Sequence, residues 1–129
     1  MSREQIAVIT QEVIDALGLD CSPSTPIYLG DHNIEHMKES HPADYNKYER
    51  HIEEILNKPE YVGINPTDEA IEYVREYKNE NAEYVKVAVR VSLSGDYYAR
   101  SLYTLRPARV ESFIKKGTLK DLRTKKETR

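Results

Sequence analysis

A chain of 129 residues with 39% hydrophobic residues is sized for one domain with one core, and no apolar run approaches the about 18 to 20 residues that cross a bilayer. Its single cysteine, Cys21, excludes an internal disulfide; with "MSREQIAVITQEV" lacking the apolar stretch of a secretory leader, the chain reads as cytoplasmic. The net charge of −3 is unevenly spread: residues 1–83 carry seven Lys/Arg against 18 Asp/Glu, and residues 84–129 carry twelve against four, an asymmetry that points the C-terminal third at a polyanion.

In chain order, Ser2 and Gln5 fit a capping box, and Ile6, Ile9, Val13, Ile14 and Leu17 fall at helical spacing before Gly18. The spacing predicts a first helix over about 3–17. "DCSPSTP" is a loop and "IYLG" a short strand. Asp31 then suits the N-cap of a helix through "HNIEHMKES", on which His32 and His36, four apart, lie about 40° from each other around the axis while Ile34 and Met37 point elsewhere. Pro42 suits the first turn of a further helix buried through Tyr45, Tyr48, Ile52, Ile55 and Leu56 and ended at Pro59. His51 borders that stripe and reads as a packed side chain.

"EYVGINP" is a short strand and a turn, whereas "AIEYVREY" fits helix and strand periods alike. From Val85 to Leu93 apolar residues alternate with Lys86, Ala88, Arg90 and Ser92, the signature of a strand with one buried face. "SGD" turns the chain into "YYARSLYTL", so an antiparallel hairpin is expected. A three-residue loop would oppose Leu93 with Tyr97, Val91 with Ala99 and Val87 with Tyr103, leaving Lys86, Arg90, Arg100 and Thr104 as a cationic platform; a two-residue turn would bury charge less sensibly. Pro107 to Lys116 reads as a closing helix ended by Gly117, and "KKGTLKDLRTKKETR" as a basic tail.

Three of the four histidines fall within "DHNIEHMKESHP", and histidine is the side chain that both takes and gives protons near neutrality. His32 and His36 at helical spacing, with His41 as a third ligand, would suit zinc, but the glutamate of zinc proteases is missing and no cysteine pair supports the site. There is no phosphate-binding glycine loop and no nucleophile elbow around Ser101. Metal-independent cleavage of RNA asks for less. A base takes the proton of the ribose 2′-OH, an acid protonates the leaving 5′-oxygen, and donors hold the charged phosphorane. Histidines suit the first two roles, and Lys86, Arg90, Arg100, Ser101, Tyr103 or Thr104 the last.

The ordered combination of "IYLGDHNIEHMKESHPADYNKYERHIEEILNKPEYVGINP", "VKVAVRVS" and "YYARSLYTL" resembles the phage-associated nuclease-like domains of the barnase, EndoU, colicin-type tRNase and RelE superfold, over roughly residues 26–117. The resemblance implies an α+β domain: N-terminal helices on a four-stranded antiparallel sheet that includes "AIEYVREY", with a short C-terminal helix. Around that core would lie an N-terminal helix over 1–18 and a basic tail over 118–129, all in one domain. It implies a metal-independent ribonuclease of phage or mobile-element origin that needs no cofactor. His36 and His41, with His32 close behind, are the expected acid and base; Arg100, Ser101 and Thr104 match the C-terminal strand signature, and Lys86, Arg90 and Tyr103 are expected to bind substrate. Alternation along that strand keeps Ser101 off the face shared by Arg100 and Thr104 unless a bulge intervenes. RNA is the expected partner, with an immunity protein a further one; a non-catalytic RNA- or protein-binding module and a metal-dependent hydrolase are the competing readings. All of them require the histidines and the basic hairpin to meet in space.

Overall fold

The structure is a computed structural model that describes residues 2–78 and 82–123. Along the chain lie β1 (Arg3–Ile9), α1 (Gln11–Leu17), β2 (Thr25–Gly30), α2 (Asp31–Ser40), α3 (Pro42–Tyr48), a 3-10 turn (Glu49–His51) and α4 (Ile52–Asn57). They are followed by β3 (Tyr61–Ile64), β4 (Ile71–Lys78), β5 (Ala82–Val91), β6 (Tyr97–Leu105), α5 (Pro107–Lys116) and β7 (Leu119–Asp121). The strands form one seven-stranded sheet in the order β1-β2-β6-β5-β4-β3-β7. Every neighbouring pair is antiparallel except β2 and β6, which run parallel.

This corrects the expected four-stranded antiparallel sheet behind N-terminal helices: the class is α+β, but the sheet is larger and mixed, and it begins with the first residues described. The helix expected over 3–17 is half strand. Its first part contains the β-branched residues Ile6, Val8 and Ile9 and pairs with β2 from Arg3 opposite Gly30 to Ile9 opposite Thr25, burying Ala7 and Ile9. Thr10 caps the helix that follows, its hydroxyl accepting from the Val13 amide at 3.3 Å. A helical reading of 3–9 satisfies the same apolar spacing, and the distant partner strand decides against it. Gly18 ends α1 in the left-handed region as expected. "AIEYVREY" is strand β4, as the resemblance implies. Leu119–Asp121, which the sequence groups with the basic tail, pairs with β3 as an edge strand; residues 124–129 of that tail lie outside the described residues.

The two sheet faces have different uses. Val85, Val87 and Val89 of β5 with Ala99 and Leu102 of β6 are fully buried in a core shared with Val13, Ile14, Met37, Tyr45, Tyr48, Ile52, Ile55 and Leu56 of α1 to α4. On the opposite face a smaller cluster forms where Val110 of α5 packs with Tyr61, Val74, Leu105 and Leu119, covering one end of the sheet and leaving the other open. β2 touches β6 only at Ile27 with Tyr97 and Tyr28 with Tyr98. The chain then turns at Gly30 into α2, which lies alongside β6. That short pairing leaves the rest of β6 to the histidine helix, whose Met37 joins the core. No helix among the described residues is long and apolar enough to cross a membrane.

Candidate active site

The N-cap of α2 is Gly30, one residue before the expected Asp31. The Asn33 side chain accepts from the Gly30 amide at 2.8 Å, and Asp31 instead receives the Ser2 hydroxyl at 3.1 Å. Met37 is buried and His32 and His36 are exposed, as the helical spacing predicts. The hairpin register differs from both weighed alternatives. Val91 pairs with Tyr97, Val89 with Ala99 and Val87 with Leu102. The loop is longer than three residues, closed by the Ser92 amide on the Asp96 carbonyl (2.7 Å) with Gly95 at φ 95°. A bulge between the Val89–Ala99 and Ala88–Ser101 pairs leaves Arg100 as the extra residue.

The bulge re-sorts the predicted platform. Arg90 lies opposite Tyr98, Ala88 opposite Ser101 and Lys86 opposite Tyr103, all on the open face. Thr104 does not join them: it pairs with Val85 on the core side, where its amide and hydroxyl donate to the Asp44 carboxylate at 3.1 and 3.4 Å.

His32, His36, Arg90 and Arg100 line one cavity of about 570 Å³, together with Arg3, Asp31 and Tyr98. His36 Nε2 lies 3.4 Å from the Ser40 hydroxyl. Arg3 is locked: its guanidinium donates to Asp96 at 2.8 Å and to the Tyr98 hydroxyl at 2.9 Å, and lies 3.8 Å from the Tyr28 ring centre. The Asp96 carboxylate, then Tyr98, hold its pKa above the already high arginine value. Arg90 and Arg100 are exposed, and neither has a carboxylate partner among the described residues. The cavity thus offers two imidazoles and two uncommitted guanidinium groups beside a fixed third cation, a set able to move protons around a bound phosphodiester.

Other predicted residues sit further along. His41, between α2 and α3, stacks on Tyr103 with ring centres 4.9 Å apart. The Lys86 ammonium is buried 2.9 Å from the Glu72 carboxylate and 4.8 Å from the Tyr103 ring centre. Burial works against its charge, and the Tyr103 hydroxyl and Glu72 more than offset that, leaving its pKa above the ordinary lysine value. His51 packs against Tyr77 and Tyr48, 4.7 and 6.0 Å between ring centres, in keeping with a packed side chain. No group of three His, Cys, Asp or Glu among the described residues is placed to hold a metal ion. Arg3, Tyr98 and Glu72 are the residues the sequence reading passed over. Arg3 was hidden by the helical reading of its segment; Tyr98 would have followed from pairing Val91 with Tyr97.

The family model for phage-Barnase-EndoU-ColicinE5/D-RelE like nuclease3 (PBECR3) matches residues 4–112. The chain belongs to this phage nuclease-like family. The match takes in β1 through the start of α5, and so holds nearly all the cavity residues named above, Arg3 excepted. Searches of curated proteins and of solved structures find no match.

Proposed function

We propose that this PBECR3 domain is a metal-independent endoribonuclease working in the cavity between α2 and the β5–β6 hairpin. The observation that carries the reading is that His32 and His36, one helical turn apart, share that cavity with Arg90 and Arg100, which have no carboxylate partner among the described residues. One imidazole takes the proton of the ribose 2′-OH as that oxygen bonds to phosphorus. The other gives its proton to the 5′-oxygen as the P–O bond breaks, leaving a 2′,3′-cyclic phosphate. Arg90 and Arg100 donate hydrogen bonds to the phosphorane oxygens, where charge builds in the transition state. Asp96 and Tyr98 hold Arg3 at the cavity edge as a fixed positive charge. His41, stacked on Tyr103, is a substrate-positioning residue in this scheme rather than a proton carrier.

Purified protein is expected to cleave RNA in EDTA and to leave 2′,3′-cyclic ends. His36→Ala, on an exposed helix face, should lower kcat by about 10²- to 10⁴-fold with the melting temperature unchanged. Intact RNA bound in a salt-sensitive way would replace the enzyme with a binding module on the same fold. A cytoplasmic ribonuclease of phage or mobile-element origin would also call for an immunity protein that covers this cavity.

A further inference from the structure

A second cavity, of about 310 Å³, opens on the same sheet face where α5 approaches it, lined by Glu72, Lys86, Tyr103, Arg109, Phe113 and Lys116 among others. Its floor is the Lys86–Glu72 pair, 5% and 7% exposed. A buried ion pair of this kind is weak evidence for stability and needs another reason to be there. Both hydrogen bonds to the carboxylate, from Lys86 Nζ and from Asn65 Nδ2, fall on Oε2 at 2.9 Å; Oε1 accepts none among the described residues. Arg109 and Lys116 are exposed at the rim and have no carboxylate partner among the described residues. The cavity thus holds three cations and one carboxylate, together with the rings of Tyr103 and Phe113.

We propose that this cavity is a nucleotide subsite for the same RNA strand that is cut in the first. The inference rests on the ribonuclease reading and extends it to a substrate longer than the scissile dinucleotide. Arg109, whose guanidinium lies 5.1 Å from the Phe113 ring centre, and Lys116 take a phosphate, and Glu72 Oε1 accepts from a base N–H. An acidic peptide would use the cations but would leave the carboxylate opposed to it. Lys86 and Arg90 lie on the same strand face four residues apart, about 13 Å by strand rise, which a few nucleotides span. Between them on the same face lie the small side chains of Ala88 and Ser101, which pair across β5 and β6.

The test measures binding of 2′-O-methyl oligonucleotides from two to eight nucleotides long to the whole chain and to Arg109→Ala/Lys116→Ala, both residues being exposed, with thermal melting as a check on folding. In the wild type, affinity should step up about tenfold or more once the strand reaches both cavities. In the double variant the ratio of long-strand to short-strand affinity should fall to near one. A wild type with no step, or a variant that loses the same factor at every length, overturns the subsite. These strands cannot be cut, so the outcome does not depend on catalysis: a protein that cleaves RNA without the step keeps the nuclease reading and loses only this one.

Discussion

Lys86 shows how much one side chain depends on its partner. Removing it leaves the Glu72 carboxylate buried with, among the described residues, only the Asn65 amide to compensate, so Lys86→Met is expected to cost about 3 kcal/mol or more of folding stability. Glu72→Gln/Lys86→Met should recover much of that loss, because a neutral amide no longer needs a cation. Urea unfolding of the two variants checks this, and equal losses in both would show that packing, not charge, sets the cost. Lys86 was legible as a residue on the polar face of β5. Its carboxylate partner was not, because Glu72 sits on a strand whose own periodicity was ambiguous and whose alignment with β5 cannot be read locally. The same holds at the first cavity. His32, His36, Arg90 and Arg100 were legible because their chemistry and their local helix or strand period point the same way. Thr104 was misplaced because a single bulge at Arg100 reverses every face beyond it.

Among the elements, β3, β7 and the end of α5 meet where side-chain volume is excluded. A Cβ on Gly63 would lie 1.8 Å from the Thr118 carbonyl oxygen, a backbone atom that no rotamer change can move. Gly63→Ala is therefore expected to destabilise by about 1 to 3 kcal/mol and to expose β7 and α5 to hydrogen exchange ahead of the central strands. Uniform exchange would mean that this corner is not a separate unit. The sequence signals of the helices survive well: Pro42, Pro107, Gly18 and Gly117 each mark an end within a residue or two. These are local devices, settled by sterics and capping within one turn. Strands are settled by partners elsewhere in the chain, which is why the apolar spacing of β1 alone reads as helix and why the four-stranded sheet implied by the resemblance falls short of the seven strands found. The consequence for the site is direct, since β1 carries Arg3 to the cavity and β2 delivers α2 beside β6.

For the molecule as a whole, charge governs both stability and binding. The helical layer is tied to the sheet by Tyr77 donating to Glu54 at 2.5 Å, and by Lys47 (2.8 Å) and Tyr48 donating to Glu83. Glu54 is held below the ordinary carboxylate range chiefly by Tyr77 and then Arg75, and Glu83 by Lys47 and then Tyr48. A depressed carboxylate stabilises the fold above its unfolded pKa, about 4.3 for glutamate, and loses that contribution as pH falls through the lower folded value. The wild type should therefore weaken below about pH 4.5, and Glu54→Gln/Glu83→Gln should be less stable at pH 6 yet show a shallower decline between about pH 5 and 3 in urea titrations; an unchanged slope would remove both ties from the account. Both groups are partly exposed, so the effect is modest. The strand order gathers β5 and β6, from the basic third of the chain, into the middle of the sheet and sets the acidic segments around them. On the proposed ribonuclease reading, RNA is drawn by a local field that the net charge of −3 conceals. A short uncleavable strand filling only the first cavity meets Arg90 and Arg100 as its uncommitted cations, so log Kd against log salt should have a slope of about 1.4, and Arg100→Ala should bring it to about 0.7. If the slope stays the same in that variant, the phosphate lies elsewhere on the sheet, because a cation that releases no counterion is not in contact with the strand.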